Sequence, residues 1–284
     1  MVAFEFPPYR GGIANYSHSL AKHLTSNGNR VKVFTLNHQA PDGKYALCKP
    51  SWGYRPEQWS YPVRKLLSFI YRQYQFYFYR GLRKRLLRHY QEDGSQIIIT
   101  SLFFDFSRKL ITDLTDQGVS YSLVLHGLDL YEIPNRYPDF FDRAIINAQN
   151  IIFNSEYTKG LFEQMYSHDV EKKVVPPLLD VQAISQIKLI EKGVVEDRLN
   201  IRKNSRWVFT VCRLVFRKGV DRSIKALIEI MREKEDIVYL IAGKGDEEDA
   251  LRALVPDHLT NRVLFLGSIS EQLKFSLLFH SEIV

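Results

Sequence analysis

The sequence predicts an α/β chain built around parallel sheets, on three observations. Apolar, β-rich runs alternate with helix-spaced segments along almost all of the 284 residues. The run Ile237 to Ala242 is nearly continuous in apolar side chains, as a parallel strand buried on both faces requires. Glycines and polar residues gather where predicted strands end, the edge at which open α/β sheets bind ligands.

In chain order, VAFEF is a short first strand, followed by Pro7-Pro8-Tyr9-Arg10-Gly11-Gly12. Ile13, Tyr16, Leu20 and Leu24 repeat at helical spacing, Gly28 stops the helix, and Val31 to Leu36 is the next strand. The glycine pair thus opens a helix, where backbone N–H groups could approach a ligand; by itself it reads first as a tight turn. Residues 38–62 hold prolines, glycines and aromatics without period and read as a long loop. Residues 64–90 carry eight Lys or Arg and no acid, with Leu67, Tyr71, Tyr74, Phe78, Leu82 and Leu86 in one helical stripe. Such a stripe suits either packing on the sheet or contact with an anionic membrane surface.

Strand Ile97 to Thr100, helix Phe104 to Leu114 and strand Tyr121 to Leu125 follow, the last running into His126-Gly127-Leu128-Asp129. Helix Phe140 to Ala148, strand Ile151 to Phe153 and a helix to Met165, with Ser155 as its N-cap, lead to a short strand at Val174-Val175. Residues 179–206 are polar and read as a helical linker between an N-terminal domain (1–178) and a C-terminal one (207–284). Beyond it, Trp207 to Val211 is a strand, and Val220, Ile224, Leu227, Ile228 and Met231 form one helix face. Gly243-Lys244-Gly245 ends the Ile237–Ala242 strand, with Asp246 positioned to cap the next helix. Strand Val263 to Leu266 and helix Glu271 to Phe279 bring the chain to Ser281–Val284, where a new strand starts.

Composition narrows the function classes. No apolar run approaches the roughly 20 residues of a membrane span, and MVAFEFPPYRGG lacks the form of a signal peptide. Cys48 and Cys212 suggest no disulfide framework, so a reducing cytoplasm is the default location. The net charge of +7 lies mostly in the first half and favours an anionic surface or partner. No nucleic-acid recognition signature accompanies the basic stretch. A nicotinamide-dependent dehydrogenase needs G-x-G-x-x-G after its first strand; Gly243-Lys244-Gly245-Asp246-Glu247-Glu248 fails at the third glycine and Gly11-Gly12 has the wrong spacing. Arg213, Arg217 and Lys218, in the loop after a strand, make a phosphate-bearing anion the simplest ligand of that edge. His126 reads equally as a satisfied core histidine or a ligand contact.

Several stretches, in order, resemble the retaining glycosyltransferases of family 4, also called glycosyl transferases group 1. FPPYRGGI is similar to that family's Gly-Gly turn, HGLDLY (126–131) to its His-containing strand end, and VVPPLLD (174–180) to the start of its second domain. VCRLVFRKGVDRSIKA (211–226) is the most specific match, and YLIAGKGDEEDALRAL resembles the following glycine turn. Cys212 and Pro177 depart from the family's usual Gly and Asn.

The resemblance implies two Rossmann-like domains facing across a cleft (the GT-B arrangement), the second incomplete. It implies sugar transfer from a UDP- or GDP-linked donor to a saccharide or lipid-linked acceptor, with no metal or other cofactor and no nucleic acid. Arg213 and Lys218 match the donor-phosphate pair, Gly243 and Gly245 a backbone passing close to the nucleotide, Gly11 and Gly12 an approach from the other side, and His126 a contact to the transferred sugar. The family's pair of glutamates lies further on than Val284, so the chain reads as C-terminally truncated and, as given, is expected to show little or no turnover. The alternative is a non-catalytic protein that binds a nucleotide sugar or a membrane surface. Location is expected to be cytoplasmic, with a peripheral position on the inner membrane face offered by residues 64–90.

Overall fold

The computed structural model describes residues 1–7, 11–35, 46–48 and 79–284. They divide into two units, Met1–Asp180 and Val181–Val284.

In the first unit, β1 (Lys32–Phe34) pairs with β2 (Ala46–Cys48), and β3 (Ile98–Ile99), β4 (Ser122–Leu125), β5 (Asn150–Phe153) and β6 (Glu171–Val174) follow side by side, all parallel. The predicted first strand shrinks to Val2, which bridges β1 on one side and β3 on the other. Its N–H donates to the Ile98 carbonyl, and its carbonyl accepts from the Thr100 N–H. The sheet order is therefore β2, β1, Val2, β3, β4, β5, β6, and the direction of winding reverses between Val2 and β3. Open sheets bind ligands at such a reversal.

Burial explains which strands run long in apolar residues. All four residues of the central β4 are buried, whereas the edge strand β6, Glu-Lys-Lys-Val, alternates exposed and half-buried positions. Helices α1 (Gly12–Ser26), α2 (residues 79–93), α3 (Asp105–Asp116), α4 (Asp129–Arg136), α5 (Pro138–Ile146) and α6 (Glu156–Met165) cover the sheet. Ser155 caps α6 as expected, its Oγ accepting from the Thr158 N–H at 3.1 Å.

Of the basic stretch 64–90, residues 64–78 lie outside the described ones. In the remainder, Tyr79, Leu82 and Leu86 belong to the first unit's core beside Ile97 and Ile99, while Lys84, Arg85 and Arg88 face solvent. This part of the apolar stripe is used in packing. Among the described residues no helix is long and apolar enough to cross a membrane.

The second unit begins with α7 (Val181–Ser185) and α8 (Lys192–Leu199). The stretch expected as a linker supplies Val195 and Ile201 to the core around Trp207, Phe209 and Leu240. Strands β7 (Arg206–Val211), β8 (Ile237–Ala242) and β9 (Val263–Gly267) are parallel and adjacent in that order, and Ile283 bridges Val208 on the other side of β7. All six residues of β8 are buried. Helix α9 (Val220–Met231) turns Val220, Ile224 and Met231 into the core, with Asp221 favourably placed in its first turn. The predicted cap Asp246 is not one: α10 (Glu248–Arg252) starts after Glu247 with no side-chain cap, because Gly245, Asp246 and Glu247 are taken up in a turn that bonds back to Leu214. Helix α11 (Glu271–His280) closes the described chain before Ile283.

Candidate functional site

Two clusters of candidate residues stand at the carboxyl edges of the two sheets, one in each unit.

In the first unit the chain leaves Val2 and reaches α1 at Gly12. The N-cap, Gly11, has an extended backbone and no capping side chain, and the first turn holds no acid. Among the described residues, the free N–H groups of this 15-residue helix therefore open at the sheet edge with no capping side chain and no acid in the first turn. A Cβ added at Gly11 or Gly12 meets no atom of the described residues within 4 Å. Packing among those residues does not demand glycine at either position.

One turn into α1, Tyr16 sets its ring edge-on to His126, centroids 5.1 Å apart. Burial pushes the Tyr16 phenol up to about 12, so it remains a donor at neutral pH and bonds the Val175 carbonyl at 2.9 Å. His126 follows β4. Its Nε2 lies 2.9 Å from the Thr100 carbonyl oxygen at the end of β3, and its backbone N–H donates to Asp129 Oδ2 at 2.6 Å. Gly127, at φ 97°, turns the chain into α4. Thr100 is itself held by its Oγ1, which accepts from Ser17 Oγ of α1 at 2.9 Å. Thus α1, the end of β3 and the end of β4 are tied together around one half-buried imidazole.

Asp129 is fully buried, and its Oδ1 has no hydrogen-bond partner among the described residues. Burial pushes its carboxyl up from the ordinary range; the His126 charge and nearby backbone N–H groups pull the other way. Sequence reasoning named His126 but passed over Tyr16, Thr100 and Asp129. Tyr16 is absorbed by the helical stripe, and an acid four residues after a strand reads as an ordinary helix cap.

In the second unit, the loop after β7 is built on one buried anchor, Leu214. The Leu214 N–H donates to the Lys244 carbonyl at 3.0 Å, and its carbonyl accepts from the Glu247 N–H at 3.2 Å. Cys212 donates its N–H to the Ala242 carbonyl, and Gly243 donates to the Gly267 carbonyl at 2.8 Å. With its neighbour anchored, Arg213 projects outward. A 3-10 turn, Phe216–Lys218, then ends at Gly219 in the left-handed region (φ 65°), the N-cap of α9. Arg213, Arg217, Lys218 and Lys244 are all exposed, and none of them has an ion-pair partner among the described residues. Four cations on two adjoining loops, uncompensated, suit an anion of more than one charge.

Gly243 and Gly245 have a closer neighbour than any ligand. An added Cβ would lie 1.8 Å from the Cys212 carbonyl oxygen and 2.0 Å from that of Leu214, respectively. The glycines therefore let the two loops pack on each other, a role the sequence reading assigned to nucleotide approach alone. Among the described residues, no group of three or more His, Cys, Asp or Glu side chains is arranged to hold a metal ion.

Comparison with known proteins adds the family. The model described as Glycosyltransferase Family 4 matches residues 10–183, and that described as Glycosyl transferases group 1 matches residues 193–284. A GDP-mannose-dependent monoacylated alpha-(1-6)-phosphatidylinositol monomannoside mannosyltransferase of Corynebacterium glutamicum is 28% identical over 122 residues, which make up 43% of this chain and 32% of that protein. An uncharacterized glycosyltransferase of Methanocaldococcus jannaschii is 23% identical over 92% of this chain and 67% of its own length. The match thus spans about a third of the first relative and about two thirds of the second. A solved glycosyltransferase from Rickettsia africae superposes with a TM-score of 0.64 at 14% identity, covering 95% of this chain and 68% of that one. At that identity the likeness speaks to the fold.

Proposed function

This chain belongs to glycosyltransferase family 4, and from that premise we propose that it serves retaining transfer of a sugar from a UDP- or GDP-linked donor to a saccharide or lipid-linked acceptor. The observation that carries the reading is the pair Arg213 and Lys218, exposed and without ion-pair partners among the described residues on a loop whose backbone is locked by Leu214 and the two glycine contacts. The bond to be broken joins the anomeric carbon to a phosphate oxygen. As it opens, the departing nucleotide diphosphate gains negative charge, and fixed cations at that edge act most strongly at the transition state. Arg213 offers a planar fork that takes two phosphate oxygens, and Lys218 a compact point charge. The left-handed Gly219 turns the N–H groups of α9 toward the same edge. No metal or other cofactor is assigned to the reaction. The name of the corynebacterial relative, which specifies GDP-mannose, supports a nucleotide-sugar donor.

In the first unit, the uncapped start of α1 with Gly11 and Gly12 is assigned to a second anionic or polar group of donor or acceptor, and His126 to a sugar hydroxyl.

The test is to measure transfer as release of free nucleotide diphosphate, with UDP-glucose and GDP-mannose as donors, in the wild type and in Arg213→Ala and Lys218→Ala. Each substitution is expected to lower turnover on the order of 10²–10³-fold, the loss typical of a single preorganised donor, with an unchanged melting curve. Equal turnover in both variants removes these residues from the site. Donor binding without any release of nucleotide diphosphate moves the assignment to a non-catalytic nucleotide-sugar-binding protein.

A further inference from the structure

The least expected group in the first unit is the Asp129 carboxyl. It is wholly buried, and among the described residues it has no cationic side chain bonded to it and one of its oxygens has no hydrogen-bond partner. Burying a carboxyl on these terms is costly, and its raised ionisation point is the expression of that cost. A helix cap does not need this: the half-buried Ser155 serves α6 with an uncharged hydroxyl. Among the described residues its shortest side-chain bond is the one accepted from the backbone N–H of His126, at 2.6 Å, and the N–H groups of Leu102 and of Asp129 itself add weaker support to the carboxylate.

His126 is held from two more sides. Its Nε2 faces the Thr100 carbonyl at 2.9 Å, and a carbonyl oxygen only accepts, so Nε2 carries the hydrogen. The edge of Tyr16 closes against the ring, and Tyr16 is fixed by its own bond to Val175. With Nε2 committed, the neutral imidazole has a single free lone pair, on Nδ1. That atom belongs to a half-buried ring and has no bond to the described residues.

We propose that Asp129 is a positioning residue which, with the Thr100 carbonyl and the Tyr16 ring, holds His126 as the Nε2–H tautomer and presents Nδ1 as a hydrogen-bond acceptor to a ligand hydroxyl. The proposal deepens the sugar-transfer reading and rests on it for the identity of the hydroxyl. Its stereochemical content is selective: an acceptor at this point welcomes a group that donates a hydrogen, and offers nothing to a carboxylate or carbonyl at the same place. The Asp129 carboxyl contributes by fixing the backbone from which the ring projects.

The experiment is a long-range proton–nitrogen correlation spectrum of the ¹⁵N-labelled protein at mildly alkaline pH, with His126 assigned by the loss of its signals in His126→Gln. The wild type is expected to show a single His126 tautomer with hydrogen on Nε2. Asp129→Asn keeps an acceptor for the His126 N–H without the buried charge, so it is expected to keep the tautomer and to melt at or above the wild-type temperature. Asp129→Ala is expected to give a mixture of tautomers. Hydrogen on Nδ1 in the wild type overturns the proposal, and so does an Asp129→Ala spectrum identical to the wild type. If the alanine variant does not fold, the wild-type tautomer alone decides. Addition of UDP-glucose and GDP-mannose then separates the two readings. No change at His126 Nδ1 on that addition overturns the hydroxyl assignment, whereas the absence of nucleotide diphosphate release by the wild type counts against the proposed function and leaves the tautomer result standing.

Discussion

Gly11 and Gly12 stand at the start of α1 with no atom of the described residues within 4 Å of an added Cβ, whereas Gly243 and Gly245 stand where a Cβ would lie 1.8 and 2.0 Å from backbone oxygens. Both pairs follow a strand at a parallel sheet's carboxyl edge, and from sequence both read as a backbone kept bare for a ligand. In the second unit the bare backbone is used by the protein itself: the loop carrying Cys212 and Leu214 lies directly on the glycine turn. In the first unit no such neighbour exists among the described residues. Glycine in a phosphate-type turn thus has two separable causes, internal close approach and external access, and only substitution tells them apart.

The largest effect is expected where the contact is closest. Gly243→Ala forces a Cβ into the Cys212 carbonyl and also meets a φ of 137°, a region L side chains rarely adopt. Overpacking of about 1–3 kcal/mol joined to backbone strain of about 1–3 kcal/mol destabilises the second unit. Gly245→Ala carries the overpacking alone. Urea unfolding followed by circular dichroism measures both. A midpoint unchanged in either variant would mean that the loops separate freely, and the two glycine pairs would then be alike after all.

Gly12→Ala is expected to do the opposite. Gly12 is the first residue of α1 and has open space around its Cα. Alanine is the better helix former by up to about 1 kcal/mol in a helix interior and by less at an end, so stability should hold or rise slightly. Binding of UDP-glucose or GDP-mannose, measured by titration calorimetry, should weaken if the backbone approach is used by ligand. A marked loss of stability in Gly12→Ala would erase the contrast between the pairs.

That contrast was not visible in the sequence, and the reason is general. Periodicity and composition report what a segment does along its own length, so β8, a run of six buried residues, and α9, with its stripe from Val220 to Met231, were legible to within a residue or two. Short elements stabilised by their neighbours were not. β2 is Ala-Leu-Cys in a turn-rich stretch and is a strand only because β1 lies beside it. The first strand reduces to Val2, identified by bridges on both sides. Residues 179–206 read as a linker because they are polar and lack strand character, yet Val195 and Ile201 complete a core whose other buried members lie beyond Ser205. Helix α4 contains Pro134, a residue that argues against a helix interior in sequence. Among the candidate site residues, Arg213, Lys218 and His126 stand out by type and by place in a strand-ending loop. Asp129, Thr100 and Tyr16 act by contacts across elements, through a carboxyl, a carbonyl and a ring edge, and no spacing along the chain encodes those.

The smallest effect is expected at Cys212, which shares the contact with Gly243 but from the other side. The family pattern has glycine there, yet the position has neither of the features that demand one. Cys212 is not among the non-glycine residues with positive φ, and it is the Cys212 backbone, not its side chain, that meets the Gly243 turn. The side chain is half-buried and packs against the second unit's core. Cys212→Gly should therefore lower stability by about 0.5–1 kcal/mol, the entropic cost of glycine, and leave the cation loop in place. Burial raises the thiol above its usual ionisation point, with Lys218 opposing only in part, so the thiol stays protonated at neutral pH and should react slowly with iodoacetamide. Mass mapping of the Cys212 peptide follows that rate. Rapid alkylation would show that the loop carrying Arg213 opens readily, and a loop that opens readily cannot be the reason Gly243 and Gly245 are glycine.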